Sequence, residues 1–251
     1  SEGNPYRIAS LENLYWITAG NDVVASPDMA ARQSSHYIQT ADIAADATLN
    51  WFPAYINYIY DIDEHGDTLN TYMEYGPCEG WLPIANFSGT YDGGGFGIFS
   101  LHIDRPQQAH IGFFSWLSES ASVTNLGLVN CDITGSSHGG ALAAESYGSI
   151  ENVYVTGTAE FTGGGALIAI NRSLINNCYT DVSISTPSGV DYQAAGFAWY
   201  NEGTIQNSHA GGDVLVNGSG PGAGLVINNI GTIENCYASG EVDVRWGGYA
   251  G

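Results

Sequence analysis

The chain has 251 residues and a formal net charge of −21, from 26 acidic residues against five basic ones, all of them arginines. Such a charge repels phosphate backbones and anionic lipid headgroups, which excludes nucleic acids and membrane surfaces as partners. No stretch approaches the roughly 18 apolar residues that a membrane-spanning helix needs, which excludes membrane insertion. Hydrophobic residues make up 44% of the chain, enough for a folded core rather than a disordered polymer.

The N-terminal segment, residues 1–36, predicts a strand and a short helix that cap the fold. Residues 10–17 place Leu11, Leu14 and Ile17 on one helical face, with Ser10 as the N-cap. An open stack of strands needs such a cover over its first core layer. We expect this helix to cover the end of a repetitive body at residues 37–251, although it could instead lie along the flank.

An irregular insertion at about 51–80 contains a pattern that resembles the start of a calcium-binding loop. Asp61, Asp63 and Asp67 alternate with a glycine turn among them, as the oxygen ligands of a hard cation do. His65 stands where an oxygen ligand is expected. A polar turn in a hairpin is therefore the favoured alternative to a calcium site.

The same insertion is crowded with aromatic residues, which makes it a candidate binding surface. Segments that depart from a repeat often carry function. The aromatic residues of this region that could contact a ligand are Trp51, Tyr58, Tyr60 and Trp81.

Regular repeats occupy about residues 110–251. An aliphatic residue, a polar residue and an asparagine recur, with Asn-to-Asn spacings of 27, 25, 30 and 28 residues. Columns of apolar residues accompany each asparagine at fixed offsets, and glycine turns separate the columns. The recurring asparagines are Asn125, Asn152, Asn177, Asn207 and Asn235.

This pattern predicts an all-β solenoid. Apolar and polar residues alternate within each phrase, which is typical of strands, about three to a repeat. No repeat can bury its apolar face alone, so successive repeats must stack. We predict a right-handed parallel β-helix of about seven or eight coils, spaced roughly 4.8 Å apart. The asparagines should form a ladder of buried carboxamides, because each one left unpaired would cost about 1–3 kcal/mol.

An aromatic ring recurs two positions after most of these asparagines, at Tyr154, Tyr179, His209 and Tyr237. Alternation turns this column outward, where flat rings can stack on sugars. A packing ladder between coils is the favoured alternative, because neighbouring aromatics stabilise sheets.

The four cysteines are too few for a disulfide framework. Cys178 and Cys236 directly follow their asparagines and lie two coils apart, roughly 9–10 Å, which is too far for a disulfide. We expect mostly free, buried thiols. Whether Cys78 and Cys131 pair stays open.

Two stretches, residues 140–152 and 223–240, resemble the GLUG repeat, and residues 87–103 resemble the segment that usually precedes such repeats. Proteins with this repeat are secreted or surface proteins of bacteria and archaea, often adhesins, so the resemblance implies a parallel β-helix outside the cell. Some immunoglobulin-cleaving proteases carry the repeats beside a separate catalytic domain. The zinc motif of that chemistry, His-Glu-x-x-His, is absent here.

No residue pattern in the chain predicts an active site. Asp213 and Glu241 lie one coil apart at the same offset, and hydrolysis of polysaccharides needs two carboxylates about 5–9.5 Å apart. Arg172 is a lone candidate base for a lyase. The six histidines are scattered, without the spacing of metal ligands. A polysaccharide-active enzyme is therefore a minor alternative.

The expected function is a non-catalytic adhesion or binding module, secreted or at the cell surface. Its partner would be a carbohydrate or a cell-surface protein, and calcium is the one cofactor considered. The last repeat stops at residues 246–251 without a capping segment, which suggests a longer parent protein or self-association of this edge into filaments. Candidate N-glycosylation sites are Asn86, Asn171 and Asn217.

Overall fold

The computed structural model describes residues 3–52, 56–62, 68–75, 77–189 and 191–245, with the backbone alone for 56–62 and 68–75. The elements up to residue 105 are, in chain order, β1 (Tyr6–Ile8), α1 (Leu11–Thr18), α2 (Met29–Gln33), β2 (His36–Gln39), β3 (Ile43–Ala44), a 3₁₀ turn (Asp46–Asn50), β4 (Ile56–Ile62), β5 (Thr68–Tyr75), β6 (Thr90–Asp92), β7 (Gly97–Phe99) and β8 (His102–Arg105).

The later elements are all strands, mostly of three or four residues. They are β9 (Phe114–Leu117), β10 (Ser122–Thr124), β11 (Gly127–Gly135), β12 (Ser137–Gly140), β13 (Ala143–Ser146), β14 (Ser149–Glu151), β15 (Tyr154–Glu160), β16 (Gly163–Gly165), β17 (Ile168–Asn171), β18 (Leu174–Asn176), β19 (Tyr179–Ser185), β20 (Gln193–Ala195), β21 (Ala198–Asn201), β22 (Thr204–Gln206), β23 (His209–Ala210), β24 (Val214–Val216), β25 (Gly222–Ala223), β26 (Val226–Asn229), β27 (Thr232–Glu234), β28 (Tyr237–Ala238) and β29 (Val242–Val244).

Four sheets run along the molecule, and each coil contributes strands to them. The first sheet has eight strands in the order β1-β2-β6-β10-β14-β18-β22-β27. The second has ten, along the path β3-β7-β11-β15-β19-β23-β28 with β8, β24 and β29 beside it. The third is β12-β16-β20-β25 and the fourth is β9-β13-β17-β21-β26. Because the eight strands of the first sheet come from successive coils, the structure confirms the predicted β-solenoid, with about eight turns.

Successive coils pair in parallel and in register, so like residues lie over like residues. Val123 pairs with Ile150, Ile150 with Ile175, and Ile175 with Ile205. All four side chains are fully buried. Hydrogen-bonded strands lie roughly 4.8 Å apart, so this column forms one continuous core along the axis.

The N-terminal segment contains the predicted helix, and its role as a cap stays a prediction. Leu11, Leu14 and Ile17 of α1 are buried, and the Ser10 hydroxyl accepts a hydrogen bond from the backbone N–H of Asn13 at 3.4 Å. The preceding strand, β1, pairs with β2 and is thereby the first strand of the first sheet. The sequence analysis did not predict α2. None of the described helices is long and apolar enough to cross a membrane.

The insertion contains an antiparallel hairpin of β4 and β5, in which Tyr58 pairs with Met73 and Tyr60 with Thr71. A hairpin here is the alternative that the sequence favoured over a calcium loop. Asp63 and Asp67 lie outside the described residues, and Asp61 is described only as a backbone partner of Asn70. The calcium site therefore stays a prediction.

The recurring asparagines turn the corners between the first and second sheets. All five have a left-handed backbone, with φ between 51° and 55°, a conformation that asparagine tolerates better than most residues. The Asn152 amide donates to Asn125 Oδ1 at 3.1 Å, and Asn177 donates to Asn152 at 2.7 Å. Asn207 does not bond to Asn177 and instead donates to Asn176 Oδ1. Asn235 donates to Asn207 Oδ1.

The predicted burial of this ladder was wrong. Asn125 is half-buried and the other four asparagines are exposed. The corner projects from the coil, so the carboxamides lie outside the core rather than within it. A second amide ladder, in which Asn171 and Asn201 are buried and Asn229 is exposed, lies between the fourth and first sheets. There Asn171 donates to Asn201 Oδ1 at 2.8 Å, and Asn201 donates to Asn229 Oδ1 at 2.7 Å.

All four cysteines are free, so Cys78 and Cys131 do not pair. Cys131 and Cys178 are buried, and burial raises the pKa of each thiol to about 12. Cys78 and Cys236 are only half-buried, because one lies next to the insertion and the other in the last described coil.

Candidate functional site

Two histidines and a glutamate meet beside the third and fourth sheets. His110 precedes β9, His138 lies in β12 of the next coil, and Glu145 lies in β13. The two imidazole rings stack with their centroids 4.8 Å apart and an angle of 11° between their planes. His110 Nε2 lies 3.4 Å from Glu145 Oε1. We call His110, His138 and Glu145 the histidine cluster.

The histidine cluster corrects the view that the histidines are scattered. His110 and His138 are 28 residues apart in the chain, which is one coil of this solenoid, so stacking superimposes them. Both lie at corners with a left-handed backbone, at φ 59° and 58°. The coil period was visible in the sequence and could have found this pair. Nothing in the periodicity marked Glu145.

Glu145 is a buried carboxylate shared between the histidines and an arginine. Its side chain is 8% exposed. Arg172 Nη1 lies 2.5 Å from Glu145 Oε2, and Arg172 Nε lies 3.0 Å from Glu202 Oε2. One carboxylate oxygen of Glu145 is therefore engaged by Arg172, and the other faces His110. Arg172 is thus an ion-pairing residue rather than the free base that a lyase would need.

The surroundings of His138 lower the pKa of its imidazole. Burial lowers the pKa of His138, and the neighbouring His110 lowers it further, against the opposite effect of Glu145. His138 Nδ1 also lies 3.3 Å from the hydroxyl of Ser137.

A groove adjoins the cluster at the end of the fourth sheet. It encloses about 500 Å³ and is lined by Trp116, Ser118, Glu119, Ser120 and Tyr147. Trp116 stacks on Tyr147 with ring centroids 5.4 Å apart and 21° between their planes. The guanidinium of Arg172 lies 5.0 Å from the centroid of Tyr147. Arg172 therefore connects the groove to the histidine cluster.

The outward aromatic column forms the packing ladder. Tyr154, Tyr179, His209 and Tyr237 stack in that order, with centroids 5.2, 5.2 and 4.9 Å apart and planes within 8° of parallel. The far face of Tyr154 lies against Gly127. Both faces of Tyr154, Tyr179 and His209 are therefore covered, and sugar stacking on the faces of Tyr154 and Tyr179 is excluded. Tyr237 is 58% exposed.

The aromatic residues predicted near the insertion are not a surface of free rings. Trp81 is fully buried and stacks on Phe113 at 5.5 Å, so its prediction as a ligand contact was wrong. Trp51 is half-buried between Trp81 and Tyr15. The side chains of Tyr58 and Tyr60 lie outside the described residues.

Other predicted sites are distributed along the coils. Asn171 is fully buried, so its amide cannot carry a glycan. Asn86 is exposed, and Asn217 is half-buried with its amide donating to the Thr186 carbonyl at 2.8 Å. Asp213 and Glu241 are exposed neighbours, and Asp213 Oδ1 accepts the backbone N–H of Glu241 at 2.9 Å. That bond occupies one carboxylate of the proposed acid pair.

No family model matches the chain, so the GLUG resemblance stays a prediction. The chain is 31% identical to halomucin of Haloquadratum walsbyi in an alignment of 179 positions that covers 68% of this chain and 2% of halomucin. It thus spans a small fraction of that relative. A crystal structure of a Bacteroides ovatus protein, provisionally named an immunoglobulin A1 protease, superposes with a TM-score of 0.60 at 16% identity. The superposition covers 96% of this chain and 78% of the other, and it shows a shared fold.

Proposed function

We propose that the chain is a binding segment of a secreted or cell-surface protein and that it holds carbohydrate in the groove beside Trp116. The similarity to a segment of halomucin supports the location outside the cell. The groove supports the ligand class, since it combines a large aromatic ring with hydroxyl and carboxylate groups. Sugar rings have an apolar face and a polar rim, so this combination matches both of their surfaces.

The observation that supports this proposal most strongly is that Trp116 is half-buried. One side of this ring rests on Tyr147, which fixes its orientation. The other candidate rings are less suitable, because Trp81 is buried and the stacked tyrosines cover one another. A rigid aromatic platform loses little conformational entropy when a ligand stacks on it.

The charge of the molecule narrows the ligand class to neutral glycans. A chain with a net charge of −21 repels sulfated and uronic acid polymers. Glu119 is exposed at the groove and would repel these anionic polymers locally. It can accept hydrogen bonds from the hydroxyls of neutral sugars. Among the described residues that line the groove, Glu119 is the one carboxylate, whereas hydrolysis of a glycoside uses a pair, so the groove supports binding as the proposed activity.

The test is a glycan array that contains neutral and anionic polysaccharides, followed by titration of the ligands that bind. Trp116→Ala should weaken binding roughly thirtyfold, because truncating a central aromatic contact costs about 2 kcal/mol or more. Tyr237→Ala is the matched control, since it removes an exposed ring outside the groove.

Binding of neutral glycans that Trp116→Ala weakens to this extent and Tyr237→Ala preserves would support the proposal. An array without ligands would overturn carbohydrate binding altogether. Equal affinity of the Trp116→Ala variant and the unmodified chain would overturn the groove as the binding site. Calcium should be present in one arm and chelated in the other, so that any contribution of residues 61–67 is measured separately.

A further inference from the structure

We propose that His110, His138 and Glu145 bind a divalent transition-metal ion, with Zn²⁺ as the best fit. One ligand atom from each of these residues can be chosen so that all three lie within 4.8 Å of one another. The site is distinct from the carbohydrate groove and does not depend on it.

The spacing is close to what a zinc ion requires. Zn–N bonds are about 2.0–2.1 Å and Zn–O bonds about 2.0–2.2 Å, so ligand atoms around a tetrahedral ion lie roughly 3.3 Å apart. His110 Nε2 and Glu145 Oε1 are already 3.4 Å apart. Because the two rings are nearly parallel, both of their nitrogens can point at one ion only if a ring turns and His138 approaches. The His110 side chain is 43% exposed, so it is the ring that can turn.

Packing alone does not account for the cluster. In the other ring stack, His209 lies between Tyr179 and Tyr237, an arrangement that stacking explains. Here a carboxylate with an 8% exposed side chain directs a free oxygen toward paired imidazoles. A buried carboxylate is costly unless charged partners occupy its oxygens. Arg172 occupies one oxygen, and a cation between the histidines would occupy the other.

The local charge favours a cation. Glu145 and Glu202 carry two negative charges against the single positive charge of Arg172, and the imidazoles are neutral when they act as ligands. Arg172 holds Glu145 in position from the side away from the histidines, and Ser137 lies within hydrogen-bond distance of His138 Nδ1. Such outer partners orient metal ligands.

The donor set selects the kind of ion. Two imidazole nitrogens and one carboxylate oxygen suit Zn²⁺, Co²⁺, Ni²⁺ and Cu²⁺. Ca²⁺ and Mg²⁺ prefer oxygen ligands in larger numbers. Binding that survives a large excess of Mg²⁺ would therefore separate this site from general attraction of cations to an acidic surface.

The experiment is calorimetric titration of the chelator-treated chain with Zn²⁺ in excess Mg²⁺, together with the visible absorption spectrum of the Co²⁺ form. We expect one equivalent of Zn²⁺ and Co²⁺ absorption bands of low coordination number. His110→Gln, His138→Gln and Glu145→Gln should each weaken binding by at least about tenfold, because even outer partners of metal ligands cost that much.

Two control variants test rival sites. His102→Gln removes a histidine that faces a single carboxylate, Asp132, at 3.2 Å. His65→Gln alters the calcium-like sequence of the insertion. Both should bind Zn²⁺ as the unmodified chain does. If Glu145→Gln unfolds, as circular dichroism would show, the two histidine variants decide the matter, because their side chains are less buried.

The proposal is overturned if the unmodified chain takes up no Zn²⁺ under these conditions. It is also overturned if His110→Gln and His138→Gln retain full affinity, which would assign any uptake to the acidic surface. Loss of binding in His102→Gln or His65→Gln alone would place the ion at one of those rival sites instead.

Discussion

At the scale of single residues, asparagine has two different structural roles in this solenoid. At the exposed corners it adopts a left-handed backbone, and its side chain adds hydrogen bonds that water could replace. Between the fourth and first sheets, Asn201 is fully buried, accepts from Asn171 and donates to Asn229. Asn171 is fully buried as well, so water cannot replace the bond between these two residues, and this ladder should matter more for stability than the corner ladder.

Asn201→Ala should lower the free energy of unfolding by about 2–3 kcal/mol, because it removes the bonds to Asn171 and Asn229 together with those that the Asn201 amide donates to the carbonyls of Gly203 and Thr232. Asn152→Gly is the matched control at the corner, where glycine keeps the left-handed backbone. It should cost no more than about 1 kcal/mol. Denaturant unfolding followed by circular dichroism measures both. Equal costs for the two variants would contradict the distinction.

Sequence reasoning found the corner asparagines because they recur with the coil, but it could not establish their burial. A recurring polar residue has the same period whether it points into the core or away from it. Asn171 illustrates the limit. It reads as a glycosylation candidate in the sequence, and its burial depends on Asn201 in the following coil, which no local pattern shows.

At the scale of elements, the connections between strands are limited by how closely neighbouring coils approach. Gly211 and Gly212 join β23 to β24. A Cβ on Gly212 would lie 2.7 Å from the backbone nitrogen of Val182 in the preceding coil. A Cβ on Gly211 would meet nothing closer than 3.5 Å. The two adjacent glycines therefore face different steric limits.

Gly212→Ala should destabilise the chain by about 1–3 kcal/mol, because the added methyl group forces two coils apart. Gly211→Ala should change stability by no more than about 0.5 kcal/mol, as substitutions without strain or burial usually do. Thermal and denaturant unfolding of the two variants provides the comparison. A larger loss for Gly211→Ala would show that the close approach at Gly212 does not govern this turn.

Strands were the most predictable elements, because their inward residues repeat. Leu142, Leu167 and Phe197 share an offset from their asparagines, and all three are fully buried. Glu145 and Trp116 share their position in the coil with Ile170 and Tyr200, so no recurring residue type marked them and both were missed. Their neighbours come from other coils and from other sheets, so the candidate site arises from the winding of the chain rather than from a motif.

At the scale of the whole molecule, the chain carries a net charge of −21, and its described strands are stacked coil upon coil. Exposed carboxylates in neighbouring coils repel one another, and salt screens this repulsion as the Debye length falls from about 10 Å at 0.1 M to about 3 Å at 1 M. The fold itself was predictable at this scale, because the repeat period, the alternation and the glycine turns all indicated one architecture.

The melting temperature should rise with NaCl concentration, most steeply below about 0.3 M, where the Debye length changes most. A variant with Glu151→Gln, Glu234→Gln and Glu241→Gln removes three exposed charges. It should melt higher than the unmodified chain at low salt and depend less on salt. Calorimetric melts of both chains test this, and a melting temperature that stays flat or falls with NaCl would contradict it.

The in-register pairing has a consequence for how such a molecule changes its length. Tyr154 to Glu160 pairs with Tyr179 to Ser185 residue by residue, so one turn is an interchangeable unit. Duplicating a turn would lengthen the stack of coils by roughly 4.8 Å and leave every existing side chain beside its former neighbours, except at the new junction. The length of such a molecule can therefore change in whole turns. A site whose residues come from two or three turns is kept only if all of those turns are duplicated or retained together.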